Sequence, residues 1–163
     1  MPEQLSTNKG LYRVRYSDVE YLRKDQSLQT QKAVTMLLGR NLARILIKTH
    51  HMTSVKKIEK ITKSAKKLDC AVLLKTGRPP GVMLAEGEIG NAEQWLDVVK
   101  NLRYKNFELM KKEEVDGRRL DVPAGKVKQL ESLKDYGIEV GKDEELRKWW
   151  RLHMGFMKGE DED

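Results

Sequence analysis

The chain is poor in cysteine and in aromatic residues, and it contains no long apolar run. Its single cysteine, Cys70, excludes an internal disulfide and any zinc site built from several cysteines. No apolar run approaches the roughly 18 residues that a membrane-spanning helix needs. The opening residues, MPEQLSTNKG, carry neither the apolar core of a secretory signal nor the arginines of a transit peptide. We therefore expect an intracellular protein, nuclear or cytoplasmic and not secreted, with no membrane partner.

Charge is what the chain has in abundance, and the positive charge is unevenly placed. The net charge is +7, from 32 Lys and Arg residues and 25 Asp and Glu residues. The segment from Thr53 to Leu68 holds most of this surplus, because its lysines face a single acidic residue, Glu59. Those lysines are Lys56, Lys57, Lys60, Lys63, Lys66 and Lys67. Such a concentration indicates a polyanionic partner, although a helix face that simply meets water is the ordinary alternative.

Between Leu42 and Leu109 the spacing of the apolar residues predicts a fold. Alternation with period two indicates strands, and spacings of three and four indicate helices. The predicted strands are 42–50, 70–75, 82–88 and 106–110, and the predicted helices are 53–68 and 91–104. This βαββαβ order predicts an α+β ferredoxin-like sandwich, in which a four-stranded antiparallel sheet carries two helices on one face. The scaffold hosts many unrelated functions, so the fold alone does not decide what the protein does.

The remaining residues read as extensions of this domain. A length of 163 residues fits one small domain with additions at both ends. The predicted division is an N-terminal extension with one helix (1–41), the ferredoxin-like domain (42–115), a C-terminal helical extension (116–157) and an acidic tail (158–163). Within the extensions, helices are predicted at 26–38, 125–133 and 143–154. Trp149, Trp150 and Phe156 are too many large rings to leave in water, so we expect the last helix to dock on the domain.

In the two central helices the spacing separates an inner from an outer face. The second helix has one large apolar residue, Trp95, which is the expected anchor between helix and sheet. In the first helix the lysines take the outer face. Its inner face is expected to consist of Val55, Ile58, Ile61, Ala65 and Leu68.

No constellation in the sequence indicates catalysis, a metal or a cofactor. His50 and His51 are adjacent on a predicted strand, so their side chains should point to opposite faces and cannot share one ion. Glu86, Glu88 and Asp97 accompany no nucleophile or histidine that would complete a catalytic site. We expect a protein that is not an enzyme, with no catalytic residue, metal ligand, cofactor or small-molecule substrate.

The turn Gly-Arg-Pro-Pro-Gly at 77–81 is not a typical phosphate-binding loop. Such a loop would contain more glycines and would lead into a helix N-terminus, whereas a strand is predicted here. The prolines more simply stiffen a hairpin and leave Arg78 free to meet a partner. An acylphosphatase type of chemistry would rest on Arg40 and Asn41 before the first strand, but the loop around them does not match it.

Three segments of the chain, in this order, resemble a known family. They are ILIKTHHMTSVKKIEKITKSAKKLDCAVLL, KTGRPPGVMLAEG and AEQWLDVVKNLRYKNFEL. Together they are similar to the C-terminal domain of the spliceosomal pre-mRNA-processing factor three, which also follows RWD domains in eukaryotic, notably fungal, proteins of uncertain function. The matching elements are the paired histidines 50–51, the paired lysines 56–57, the turn 78–81 and the Glu-Gly pair 86–87. The turn is one residue longer than the family pattern.

The resemblance implies an RNA-binding module that acts in mRNA processing, in the spliceosome or in another ribonucleoprotein complex of the nucleus. We expect it to contact phosphates through the lysine-rich helix and through the open face of the sheet, opposite the two helices. The candidate RNA-binding residues are Arg44, Lys48, His50, Lys56, Lys57, Lys60, Lys63, Lys75 and Arg78. The alternative is a protein–protein interaction module that uses the open sheet and the terminal helices.

Overall fold

The structure, a computed structural model, describes residues 7–8, 11–12 and 41–156. The chain divides into two compact units, Met1–Asn41 and Leu42–Asp163. In the first unit, β1 (Thr7–Asn8) pairs with β2 (Leu11–Tyr12) in antiparallel fashion. The helix predicted at 26–38 and the acidic tail predicted at 158–163 lie outside the described residues.

The second unit is built on a five-stranded sheet. Its strands are β3 (Leu42–Thr49), β4 (Ala71–Lys75), β5 (Gly81–Glu88), β6 (Glu108–Val115) and β7 (Val127–Leu130). The order across the sheet is β6-β3-β5-β4-β7, and only the β4–β7 pair is parallel. The four predicted strands therefore form one antiparallel sheet, and the α+β ferredoxin-like fold is confirmed. The prediction of four strands is incomplete, because β7 adds a fifth at one edge.

Four helices complete the described part of this unit. They are α1 (Val55–Lys67), α2 (Ile89–Asn101), α3 (Leu133–Val140) and α4 (Glu144–Met154). Side chains of Ser54, Ser132 and Asp143 cap three of the N-termini by accepting backbone N–H bonds. Gly155 ends α4 in the left-handed region, at φ +84°. The longest of these helices has 13 residues, so none within the described ranges could cross a bilayer.

The sheet face covered by α1 and α2, here called the helix face, carries the first core. Ile45 and Ile47 of β3 pack there against Ile61 and Trp95, all fully buried. The predicted role of Trp95 as an anchor is confirmed by its burial. The predicted inner position of Val55 is wrong, because 69% of its surface is exposed at the first turn of α1. The apolar stripe that packs on the sheet therefore begins one turn later.

The opposite face of the sheet, here called the C-terminal face, is covered by α3 and α4. Leu46, Leu73 and Leu84 of the sheet form a second buried core with Tyr136 of α3 and Trp150 of α4. The Tyr136 hydroxyl donates a hydrogen bond of 2.8 Å to the carbonyl oxygen of Leu73. The expectation of an open sheet face is therefore wrong: the C-terminal helices bury it, because their aromatic and aliphatic side chains remove its apolar surface from water.

The helix predicted over residues 125–133 is not formed. Strand β7 occupies this stretch and runs parallel to β4, with Val127 opposite Val72 and Leu130 opposite Lys75. The three-residue spacing of Val127 and Leu130 fits one turn of helix as well as a short edge strand. Pairing with β4 decides between them, because it satisfies backbone groups that β4 would otherwise leave without partners. The predicted C-terminal helical extension thus contributes a strand to the sheet.

Candidate nucleic-acid interface

The lysine-rich face of α1 is exposed along its whole length. Lys56, Lys60 and Lys63 are all exposed and recur at helical spacing, which places them along one side of the helix. Lys66 and Lys67 continue the row into the last turn. None of the α1 lysines forms an ion pair with any residue that the structure describes. Their charge is therefore not neutralised by the described part of the protein.

Lys57 differs from the other lysines of this helix because it is half-buried. Its ammonium group lies 4.7 Å from the centroid of the Tyr104 ring and 3.5 Å from the carbonyl oxygen of Arg103. The ring face attracts the cation electrostatically. Burial raises the pKa of the Tyr104 hydroxyl to about 12, so this phenol is neutral at physiological pH. Lys57 thereby fixes α1 to the connection between α2 and β6.

Three connections meet at the end of the sandwich where α1 begins. The His50 N–H donates to the Lys105 carbonyl oxygen at 3.0 Å, and the Gly81 N–H donates to the His50 carbonyl oxygen at 2.9 Å. These bonds hold together residues 48–57, 75–81 and 100–108, and we call this region the basic end. Its only acidic residue is Glu108. Its basic side chains are Lys48, Lys56, Lys57, Lys75, Arg78, Lys100, Arg103 and Lys105.

Most of the predicted RNA-binding residues lie on this continuous region. Lys48 and His50 are half-buried, and Arg78 is exposed at the tip of its turn. Arg103 and Lys105, both exposed, belong to the same region but were not predicted. Their signal was present in the sequence as the basic tripeptide Arg-Tyr-Lys at the end of a predicted helix, just before a predicted strand. Without the fold, nothing indicated that this tripeptide lies beside α1.

Two of the predicted residues do not belong to the interface. Arg44 lies on the C-terminal face, is 5% exposed, and its Nε donates to a Glu86 carboxylate oxygen at 2.7 Å. Lys75 is 3% exposed, and its Nζ donates to the Arg78 carbonyl oxygen at 2.5 Å. Burial lowers the pKa of the Lys75 ammonium. Both predictions are corrected, because α3 and α4 cover the sheet face that was expected to be open.

The histidine pair is arranged differently from its prediction. Strand β3 ends at Thr49, so His50 and His51 lie in the connection to α1 rather than on opposite faces of a strand. Their rings meet edge to face, with centroids 5.1 Å apart. Within the described ranges, no group of three or more His, Cys, Asp or Glu residues could hold a metal ion.

No protein-family model matches the chain, and no curated protein sequence matches it. Among solved structures, the chain is similar to one described as BlrP1 BLUF, with 11% identity, a TM-score of 0.45, and coverage of 55% of this chain and 64% of that one. A bacterial light-regulated adenylyl cyclase gives 16% identity and a TM-score of 0.46, over 72% of this chain and 36% of that one. Acylphosphatase from Bacillus subtilis gives 19% identity and a TM-score of 0.38, over 55% of this chain and 98% of that one. These likenesses are too remote to indicate an activity.

Proposed function

We propose that this protein is a non-catalytic RNA-binding module of a ribonucleoprotein complex, with splicing in the nucleus as the setting that its sequence resemblance suggests. The observation that carries the proposal is the row of exposed α1 lysines without carboxylate partners among the described residues. A charged helix face that serves only solubility usually alternates its signs, whereas α1 carries one acid. The proposed interface is α1 together with the exposed and half-buried basic residues of the basic end, which leaves out the buried Lys75.

The chemistry of this surface favours phosphate contacts over contacts with bases. Lysine ammonium groups attract phosphates without regard to sequence, and the release of counterions makes such binding strongly dependent on salt. Base recognition in single strands uses exposed aromatic rings as stacking platforms. The Tyr104 ring, which lies beside α1, is buried and covered by Lys57, and Trp95 is fully buried. The proposed mode is therefore recognition of the RNA backbone.

The decisive experiment compares two charge reversals of equal size on two sides of the molecule. Lys60→Glu with Lys63→Glu changes α1, and Lys134→Glu with Lys148→Glu changes α3 and α4 by the same net charge. All four lysines are exposed, so both variants should fold. Binding of short structured RNAs is measured across a salt titration. We expect the α1 variant to bind more weakly, with the slope of log K against log salt reduced by about 2, because each phosphate contact contributes about 1.

Two results would contradict the proposal. One is an RNA affinity that does not change with salt. The other is an equal loss of RNA affinity in the α1 variant and in the α3 and α4 variant, which would show that only net charge matters. A third variant, Arg103→Glu with Lys105→Glu, tests whether the basic end belongs to the same footprint. A loss comparable to that of the α1 variant is expected there.

We also propose that the chain is a divergent member of the family that its sequence resembles. The support is that the three resembling segments run from β3 through α1, β4, β5 and α2 to the start of β6, and that these strands are neighbours in one sheet. The proposal requires that other members share the β6-β3-β5-β4 order. A member of that family with a different strand order over the matching segments would contradict it.

A protein partner is the second candidate function. Ile138 of α3 and Leu152 of α4 are 60% and 51% exposed, and apolar side chains on the outside of helices are typical contacts for partner proteins. The sheet face that was first considered for this role is covered. Capture of partners from nuclease-treated extract separates the two candidates: partners that persist without nucleic acid, and are lost in an Ile138→Ser, Leu152→Ser variant, favour protein recognition.

A further inference from the structure

Two exposed arginines, Arg78 and Arg103, lie on two of the three connections that form the basic end. Neither side chain forms a hydrogen bond or an ion pair with the residues that the structure describes. In both connections a lysine contacts the backbone of the arginine. The Lys75 Nζ lies 2.5 Å from the Arg78 carbonyl oxygen, and the Lys57 Nζ lies 3.5 Å from the Arg103 carbonyl oxygen. The same arrangement of lysine and arginine thus occurs twice at one end of the molecule.

The two lysines are themselves poorly placed to contact a partner. Lys75 is only 3% exposed. The ammonium group of Lys57 lies over the Tyr104 ring, 4.7 Å from its centroid. A lysine is seldom buried unless its ammonium group has a partner. The contacts with the arginine carbonyl oxygens supply such partners, and they fix the backbone from which the arginine side chains extend.

The turn that carries Arg78 is fixed at both ends. Its first residue, Gly77, and its last, Gly81, each donate a backbone N–H bond to the connection between β3 and α1, at 2.8 Å and 2.9 Å. The two prolines between them have no N–H to donate. The bond from Lys75 is the only hydrogen bond that residues 78–80 form within the described ranges. Lys75 therefore sets the backbone position of Arg78.

Arg103 has a backbone conformation that favours glycine. It follows the last turn of α2, and its φ is +57°. The residue at this point of a helix end is usually glycine, because a side chain is strained in the left-handed region. The other described non-glycine residues with positive φ are Asp69 and Asn106, and these residue types tolerate the region better. An arginine held in such a conformation points to a function for its side chain.

We propose that Arg78 and Arg103 contact RNA phosphates at two fixed points of the basic end, and that Lys75 and Lys57 are positioning residues that hold the backbone of these arginines. The inference rests on the proposed function and deepens it. A guanidinium group on a fixed backbone loses less freedom on binding than one on a mobile loop, and it can meet a phosphate with two parallel hydrogen bonds. The α1 lysines supply affinity, and the two arginines position the RNA backbone on the protein.

The first test measures stability and RNA binding of Arg103→Gly in the full chain. Glycine adopts the left-handed region without strain, so we expect the urea midpoint of unfolding to stay the same or to rise. Binding of short structured RNAs should weaken about threefold to tenfold. The slope of log K against log salt should fall by about 1, as for the loss of one phosphate contact.

Asn106→Gly is the matched control, because it places glycine at another exposed position of positive φ in the same connection and removes no charge. We expect its urea midpoint not to fall and its RNA affinity to equal that of the wild-type chain. A lower midpoint in Arg103→Gly, RNA binding that equals the wild type, or an equal loss of binding in both glycine variants would overturn the proposal. A wild-type chain that does not bind RNA would overturn the proposed function and, with it, this inference.

The second test determines whether Lys75 acts through Arg78. Arg78→Ala alters an exposed side chain, and Lys75→Met keeps the length of a buried side chain but removes its donor. We expect each variant to lose RNA affinity about threefold to tenfold. The double variant should bind no more weakly than the weaker single variant, because both substitutions remove the same phosphate contact. Losses that multiply would show that Lys75 acts independently of Arg78 and would overturn its positioning role.

The same comparison with Lys57→Met and Arg103→Gly tests the other pair, so the proposal does not depend on one substitution in the interior. We expect Lys57→Met to weaken RNA binding in the wild-type chain and to have no further effect in the Arg103→Gly variant. A full additional loss in that variant would show that Lys57 contacts RNA itself and would overturn its positioning role.

Discussion

Charged side chains are exposed on one face of the sheet and buried on the other. On the helix face, α1 and α2 bury only apolar residues such as Ile61 and Trp95, and the charges point outward to water. On the C-terminal face, the ion pair of Arg44 and Glu86 lies in the interior with exposures of 5% and 0%. The same residue types are thus available to a partner on one face and are structural on the other.

This difference follows from what covers each face. The helices of the helix face are long enough to seal the sheet with their own apolar stripes, so polar groups can remain outside. The C-terminal face is covered by two shorter helices and an irregular connection, which bring backbone N–H groups of Arg119 and Leu120 over the sheet. Those N–H groups need an acceptor, and Glu86 supplies it. A charged pair is therefore buried on the C-terminal face because part of the chain that covers this face is an irregular connection.

The largest effect should come from breaking the buried ion pair. Glu86→Ala leaves Arg44 charged and buried without a partner and removes the acceptor of two backbone N–H groups, so we expect a loss of about 3–5 kcal/mol in the free energy of unfolding. Urea denaturation measures it. The matched control is Glu93→Ala, whose partner Lys112 is on the surface and whose expected cost is under about 1 kcal/mol. Equal losses in the two variants would show that the faces do not differ.

A smaller difference in the free energy of unfolding is expected between substitutions at two positions of α1. Ile61→Ala opens a cavity in the core of the helix face, and we expect it to cost about 2–5 kcal/mol. Val55→Ala shortens a side chain that is 69% exposed, and we expect a change within about 0.5 kcal/mol. The same denaturation curves measure both. A cost at Val55 that approaches the cost at Ile61 would mean that the apolar stripe extends to the first turn of α1.

The smallest expected effect is the pH dependence of stability that His153 of α4 contributes on the C-terminal face. Burial, and then the charge of Lys111, lower the pKa of His153 below its ordinary value of 6.5, while Glu113 acts in the other direction. The unfolded chain then binds the proton more readily, so the stability contributed by this group is complete above pH 6.5 and is lost as the pH falls below it. His153→Gln should flatten this part of the stability curve measured between pH 7.5 and 5.5. An unchanged slope in the variant would contradict the assignment.

The central unit was predictable because its signals are local. Alternating residues in β3 and the three-and-four spacing in α1 are properties of short segments, and their order along the chain already corresponds to βαββαβ. The strand β7 was not predictable in this way. The four residues Val127–Leu130 are too few for the spacing of their apolar side chains to distinguish a strand from a helix. Their conformation is set by pairing with the neighbouring edge of β4. The same distinction holds for the candidate interface: the α1 lysines, which lie in one segment, were predicted, and Arg103 was not.

The sequence by itself determined which segments would fold as strands and helices from 42 to 110 and that α1 would carry an excess of positive charge, because both depend on residues close together in the chain. Only the tertiary structure decided that Arg44 and Lys75 are buried, that Arg103 and Lys105 stand beside α1, and that the Glu86 carboxylate accepts from Arg44 and from two backbone N–H groups. The physical reason is that burial and pairing depend on segments distant in sequence. Residues 119–120 lie more than 30 positions from the carboxylate that they cover.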